Sequence, residues 1–285
     1  MTARDLVSAV NISEGRDVAT VDLLAEVCGE PLLDVHRDAD HHRSVLTLAG
    51  WPEALEQSLH SLLELAVELL DLTDHSGVHP RFGVVDVVPF APVVGLDLTG
   101  AQEARDRLAV WAGATLGLPC FLYGAMPDGG SRSLPEVRRG AFMTLQPDTG
   151  PEKASARSGA VAIGARGPLV AYNLWVRGLA PADTRAAAAR VRGPALRALG
   201  LEVGELTQVS CNLIDPGTLG PADAYDLVLG SLPRSADIVR AELVGLVPQA
   251  VLDATPPERW EELGLSASDG LEARMDDPAL RRRRS

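Results

Sequence analysis

Hydrophobic and polar positions alternate along this chain in two rhythms. A period near two appears first at Val7–Val10, which reads as a short strand running into "NISEGRD". Asp17 can cap a helix reaching Cys28, with Val21, Leu24, Ala25 and Cys28 on one face and Gly29 after its end. "PLLDVH" and "SVLTLAG" read as strands. Pro52 opens a long helix whose Leu55, Leu59, Leu62, Leu63, Ala66 and Leu70 keep a 3.6-residue period. His60 falls off that stripe and is expected on the surface. "GVVDVVPFAPVV" reads as a buried strand broken by Pro89. Thr99 is expected to cap a helix over 101–116, ended by Gly117. "LPCFLYG", "AVAIGA" and "PLVAYNLWV" are further strands. Between them lie two polar Gly/Pro-rich loops, at 124–135 and 147–159.

A second series follows. It holds an Ala-rich helix near 181–199, strands "LEVGE" and "LTQVSCNLI", a helix near 221–230, strand "DIVRAELVGLVP" and a closing helix. The order β, α, β, β, α, β occurs in both halves. The pattern predicts an α+β fold, an α/β sandwich of two split-βαβ units with helices on one face of an antiparallel sheet. The join is placed near 174–180, giving subdomains 1–176 and 177–285, the latter with an Arg-rich tail near 278–285.

Composition narrows the function. The 285 residues suit two domains or one domain of two halves. A formal net charge of −13 argues against a general nucleic-acid binder. No apolar run reaches the ~18–20 residues of a membrane helix, and "MTARDLVSAV" lacks a signal-peptide core. Cys28, Cys120 and Cys211 read as buried or free thiols of a reducing cytoplasm. Lys153 is the sole lysine, and the terminal "RRRRS" reads as a solvated tail.

All six histidines, His36, His41, His42, His60, His75 and His79, precede residue 80. His75 and His79 have the i, i+4 spacing of helical zinc ligands. Gly77 and Pro80 oppose a helix there, no Glu completes an H-E-x-x-H pattern and no cysteine lies nearby, so no metal is expected. "DHSGVHPR" is polar and turn-rich between a helix and a buried strand, the setting in which loops carry chemistry. A neighbouring Arg81 favours a neutral imidazole at His79, as a general base requires. On residue types alone, a base and a structural histidine both remain open.

These residues resemble a known family. "HSGVHPRFGVVDVVPF" is similar to the H-x-G-x-H-P-R-M-G-x-x-D-V-x-P-F segment of glutamate formimidoyltransferases. "VNISEGRD", "DADHHRSVLTLAG", "LPCFLYG", "LPEVRRG", "PDTGP…GAVAIGARGPLVAYN", "QVSCNLID" and "ELVGLVPQAVL" match further segments in the same order, over roughly residues 5–255. The resemblance implies two ferredoxin-like subdomains with a folate channel between them. It implies transfer of the formimidoyl group from N-formimidoyl-L-glutamate to N5 of tetrahydrofolate, the co-substrate, without a metal. It implies a homodimer acting on small molecules; the cytoplasm and the absence of nucleic-acid or membrane partners are expected from the composition, and no cyclodeaminase domain is expected.

Residue by residue, the family's catalytic histidine falls on His79. Its folate segment falls on Gly150, Pro151, Glu152, Lys153, Ala154, Ser155, Ala156, Arg157, Ser158 and Gly159. Arg43, Arg81 and Arg139 are expected to hold the donor's carboxylates, since a guanidinium fork matches a carboxylate. Asn11, Glu14 and Asn173 are further substrate-contact candidates, and Asp86 is a candidate to orient His79. His42 and Trp175 stand where the family has Asn, and the stretch between Phe142 and Pro147 is shorter than usual. Those departures bear on the donor, so another donor such as N-formylglutamate, or a non-catalytic folate-binding relative, is the alternative.

Overall fold

The computed structural model describes residues 5–73, 75–77 and 81–277. His79 and the RRRRS tail lie outside them. The chain divides into two compact units between Gly167 and Pro168. The division precedes the expected join because the strand Val170–Arg177 pairs within the second sheet.

In the first unit the order is β1 (Leu6–Ile12), α1 (Val18–Glu26), β2 (Leu32–Asp38), β3 (Arg43–Gly50), α2 (Pro52–Leu69) and β4 (Val85–Pro92). Then come α3 (Thr99–Thr115), β5 (Cys120–Ala125), β6 (Ser131–Arg132), α4 (Leu134–Gly140) and β7 (Val161–Ala165). The sheet order is β2-β3-β1-β4-β7-β5-β6. The β2, β3, β1 and β4 pairings are antiparallel, but β7 pairs parallel to both β4 and β5. The sheet is therefore mixed, not antiparallel as expected. β7 arrives from later in the chain and fills the gap that the α3 crossover leaves between β4 and β5, a pairing no local pattern announces.

Alternation divides the side chains of the strands between two faces. Val161 and Ile163 join the leucines of α2 and the alanines of α3 in one core. Ala162, Phe121 and Tyr123 point the other way and meet Val137 of α4. Helices thus lie on both faces, which corrects the one-face expectation. Each fully buried leucine of α2 contributes about 1.5–3 kcal/mol, enough to outweigh the unpropitious Trp51 at its N-cap, which makes no side-chain cap bond.

Other local readings shift in detail. β4 runs through Pro89, opposite Gly164 of β7, rather than breaking there. Asp97, not Thr99, closes the start of α3, accepting the Thr99 N–H at 3.0 Å and hydroxyl at 2.7 Å. His60 is half-buried, stacked on Trp111 with ring centroids 3.8 Å apart. The three cysteines are buried and form no disulfide among the described residues.

The second unit runs β8 (Val170–Arg177), α5 (Pro181–Val191), β9 (Leu196–Val203), β10 (Leu206–Leu213), α6 (Pro221–Ser231) and β11 (Asp237–Val244), then α7 (Gln249–Asp253) and α8 (Leu271–Asp276). Its antiparallel sheet has the order β11-β8-β10-β9. α5 stops at Val191, short of the expected residue 199, because Gly193 and Pro194 follow and Leu196–Leu199 enter β9. Each unit thus places the first and last strands of a β-α-β-β-α-β run side by side. Among the described residues no helix is long and apolar enough to cross a membrane.

Candidate functional site

Three chain segments of the first unit build the site: the turn after β1, the β2–β3 turn, and the stretch between α2 and β4. Glycine sets their spacing. A Cβ on Gly15 would lie 2.3 Å from the Asp38 carbonyl and 2.4 Å from the Arg43 nitrogen, so only glycine lets the first turn pack on the second. A Cβ on Gly77 would meet the Arg81 guanidinium at 2.2 Å and the His41 carbonyl at 2.7 Å.

Glu14 sits in the first turn. Its Oε1 accepts the N–H groups of Gly15, Arg16 and Asp17 at 2.8, 2.7 and 2.9 Å, and lies 3.1 Å from Nε2 of His42. Burial opposes its ionisation, but these donors and the His42 charge outweigh it and hold the carboxyl below its usual range. On the β2–β3 turn, the Asp38 carboxylate takes Nδ1 of His41 at 2.6 Å. His42 adopts a left-handed backbone, φ 49°. It turns Nδ1 to the Ser76 carbonyl at 3.0 Å and stacks on His75 at 3.7 Å between centroids.

His75, Gly77 and Arg81 are the described residues at the fixed positions of the H-x-G-x-H-P-R motif. Arg81 Nε donates to His75 Nδ1 at 2.7 Å, and its Nη2 donates to the His41 and His42 carbonyls at 2.6 and 3.2 Å. Burial, then the charges of His42 and Arg81, push His75 down to about 4, so the ring is neutral near pH 7.

Asp86 forms the floor. It is fully buried in β4 and accepts the Phe82 N–H at 2.7 Å. Arg43 Nη2 approaches it at 2.7 Å, and the Arg138 guanidinium binds the same oxygen. Arg43 also donates from Nε to Asn11 Oδ1 at 2.9 Å. Burial lowers the Arg43 and Arg81 guanidinium pKa values, while Asp86 opposes that effect at both. Three guanidiniums thus share the field of one carboxylate, an arrangement suited to an anionic ligand.

The two arginines of α4 face different surroundings. Arg139 is exposed and lines a separate open hollow with Met126, Arg132 and Glu136. Arg138 points to Asp86 instead. Val137 fixes the phase of this short helix by burying under Phe121 and Tyr123, and Ser133 and Glu136 cap its start. Arg138 was invisible in the sequence because adjacent residues point about 100° apart on a helix. Among the described residues Asp86 meets two arginines and an N–H; the expected link to His79 falls outside the described residues.

Asn173 lies in the second unit, 3.4 Å from a Glu242 oxygen that Trp175 Nε1 also meets at 3.0 Å. A register shift around Val239 re-aims Arg240, whose guanidinium stacks 4.1 Å from the Trp175 ring.

The segment 150–159 is an exposed loop over Gly150–Arg157, strapped to the ends of the histidine stretch. Leu72 N–H bonds the Arg157 carbonyl and Val84 N–H bonds the Ser158 carbonyl, both at 2.9 Å, and Gly159 bridges to Gly83. Arg157 also caps α2, reaching the Leu70 carbonyl at 3.3 Å and the Glu68 carbonyl.

Residues 6–166 match the formiminotransferase domain, N-terminal subdomain. Over 85% of its length the chain is 31% identical to the glutamate formimidoyltransferase of Streptococcus pyogenes serotype M1, covering 88% of that protein. It is 32% identical to the glutamate formimidoyltransferase of Thermoplasma acidophilum over 94% of its length, covering 96% of that protein. The formimidoyltransferase-cyclodeaminase of Gallus gallus is 33% identical over 86% of this chain, which covers 50% of that longer protein. The match over most of both enzymes, with the motif residues gathered around Asp86, shows that the chain belongs to the formiminotransferase family.

Proposed function

We propose that this protein is a glutamate formimidoyltransferase, moving the formimidoyl group of N-formimidoyl-L-glutamate to N5 of tetrahydrofolate. One observation carries the reading: the 150–159 loop is strapped to both ends of the histidine stretch beside the Arg43–Asp86–Arg138 cluster. The reading takes the loop as the folate-binding segment, the Arg43–Asp86–Arg138 cluster as the anion-binding group, and His79, outside the described residues, as the base.

The donor carries two carboxylates, which the Arg43, Arg81 and Arg138 guanidiniums complement. N5 attacks the amidine carbon and a tetrahedral intermediate forms. N5 loses a proton, the glutamate nitrogen gains one, and the bond from carbon to that nitrogen breaks. A single imidazole, assigned here to His79, serves both proton transfers. Lys153 is exposed on the loop and offers its charge to the anionic tail of folate. The reading takes each β-α-β-β-α-β run as a ferredoxin-like subdomain, supported by the common strand order. It also carries a cytoplasmic homodimer working on small molecules.

The test is a spectroscopic assay of 5-formimidoyl-tetrahydrofolate formation, with formimidoylglutamate and formylglutamate in parallel. Formimidoylglutamate is expected to react, and His79→Ala to lower turnover about 10²-fold or more while folate binding survives. A His79→Ala enzyme within about threefold of wild type removes His79 from the mechanism. Folate binding without transfer from either donor leaves a non-catalytic folate binder.

A further inference from the structure

The turn after α4 holds a phenylalanine in a backbone conformation that bulky side chains avoid. Phe142 has φ 59°, in the left-handed region. The hydrogen bonds of the turn impose it. The Gly140 carbonyl accepts the N–H groups of Met143, Thr144 and Leu145 at 3.0, 2.9 and 2.9 Å, and the Phe142 N–H bonds the Leu145 carbonyl at 2.9 Å. Strain of this kind persists where its surroundings over-determine it, and it gathers at ligand sites. It does not serve burial here. The Phe142 ring stays 39% exposed, and Met143 beside it is 80% exposed.

Phe142 is the exposed end of an aromatic row. It meets Phe121 edge to face, with centroids 5.0 Å apart and 80° between planes, and Phe121 meets Phe82 in the same manner at 5.4 Å. Whichever ring of an edge-to-face pair presents its edge, Phe121 leaves at least one face of Phe142 uncovered. The row is tied into the site at both ends. Phe82 donates its N–H to Asp86 at 2.7 Å, and its carbonyl accepts the N–H of Ala160, the residue after the 150–159 loop, at 2.9 Å. Arg138, four residues before Phe142, binds Asp86. An exposed aromatic ring thus adjoins both the anion-binding cluster and the root of the loop.

We infer that Phe142 is a substrate-contacting residue, the stacking platform for the pterin ring of the folate co-substrate. The inference deepens the formimidoyl-transfer reading and rests on it. Folate joins a flat conjugated ring to an anionic tail, and the surroundings of Phe142 suit both parts: an uncovered aromatic face for the ring, and a loop carrying the exposed Lys153 for the tail. The formimidoyl donor has two carboxylates and no ring, so it draws on the arginines and not on Phe142. The strained backbone has a use in this setting. It fixes the ring before the ligand arrives, so less side-chain freedom is lost on binding.

The test uses the full-length protein and its Phe142→Ala and Phe142→Tyr variants. Phe142→Ala is expected to raise KM for tetrahydrofolate about tenfold, the scale of a lost ring-on-ring stack. It should leave KM for formimidoylglutamate within about twofold, and Phe142→Tyr should keep both near wild type. In wild type saturated with tetrahydrofolate, NMR is expected to show nuclear Overhauser contacts between pterin protons and the Phe142 ring protons, identified by their loss in Phe142→Tyr. An unchanged tetrahydrofolate KM in Phe142→Ala, or no ring contact in the saturated complex, overturns the inference. So does a Phe142→Ala protein whose sedimentation changes while its folate KM does not, which makes the ring a contact between copies of the chain. Should Phe142→Ala not fold, the ring contact in wild type decides. If folate binds but neither donor reacts, the functional reading fails on its own, and the tetrahydrofolate dissociation constant takes the place of KM. A wild-type protein that binds no folate overturns both.

Discussion

The Arg43 guanidinium lies 2.7 Å from the Asp86 carboxylate, which is fully buried on a strand flanked by two others. Arg138 binds the same oxygen from α4. Two cations in one carboxylate's reach offset its desolvation, and removing the carboxylate leaves both arginines facing each other in a confined space. Asp86→Ala is therefore expected to cost about 3–5 kcal/mol of unfolding free energy. Urea unfolding of the variant against wild type measures it; a loss below about 1 kcal/mol would mean that solvent already neutralises this cluster.

Arg138 and Arg139 should separate in kinetics. If Arg138 meets a donor carboxylate beside Asp86, Arg138→Ala lowers kcat/KM for formimidoylglutamate about ten- to a hundredfold, the worth of a hydrogen bond between charged groups. Arg139→Ala, altering the exposed hollow it lines with Met126, Arg132 and Glu136, should stay within about twofold. Steady-state kinetics on both variants decide, and a reversed order would return the donor arginine to position 139.

The site was legible in the sequence where function rests on contiguous motif, and illegible where it rests on helix phase or sheet order. His75, Arg81, Arg43, Asn11 and Glu14 converge because each sits at a strand end or in a turn whose Gly15 or Gly77 permits close packing. Arg138 needed the phase of a seven-residue helix. The parallel insertion of β7 needed a long-range pairing, and with both its neighbours accounted for, Pro89 sits inside a central strand that propensity alone would end.

Lys153 and Arg157 are both cations on the proposed folate loop, yet only Arg157 has structural work to do. Its guanidinium meets the last carbonyls of α2, at Leu70 and Glu68. Arg157→Ala should lower stability by about 0.5–1.5 kcal/mol as well as weaken folate binding. Lys153→Ala should leave stability within about 0.5 kcal/mol and weaken polyglutamylated folate at low salt. That loss should fade as ionic strength shortens the screening length to about 8 Å. Thermal melts paired with folate titrations at two salt concentrations separate the roles. Salt-independent affinities equal to wild type would place the folate tail elsewhere.

His75 should leave a signature in the pH dependence of stability. Its ring is pushed from 6.5 down to about 4 by burial first, then by the His42 and Arg81 charges. The unfolded chain therefore takes up this proton before the folded one as pH falls. The sign follows: stability from His75 is complete above pH 6.5, declines as pH drops below it, and is exhausted once pH passes about 4. Glu14 acts in the same direction but only below its ordinary value of 4.5, so the window between pH 6.5 and 4.5 isolates the histidines. His60, also lowered by burial, titrates alike in wild type and in a His75 variant and cancels in their difference. His75→Asn keeps an acceptor for the Arg81 Nε–H and removes the titration. Chemical denaturation in steps from pH 7.5 to 4.5 should show a steeper loss in wild type than in His75→Asn. Equal slopes would mean that His75 accepts its proton in the folded state as readily as in the unfolded chain, and that the Arg81 contact does not hold the ring neutral.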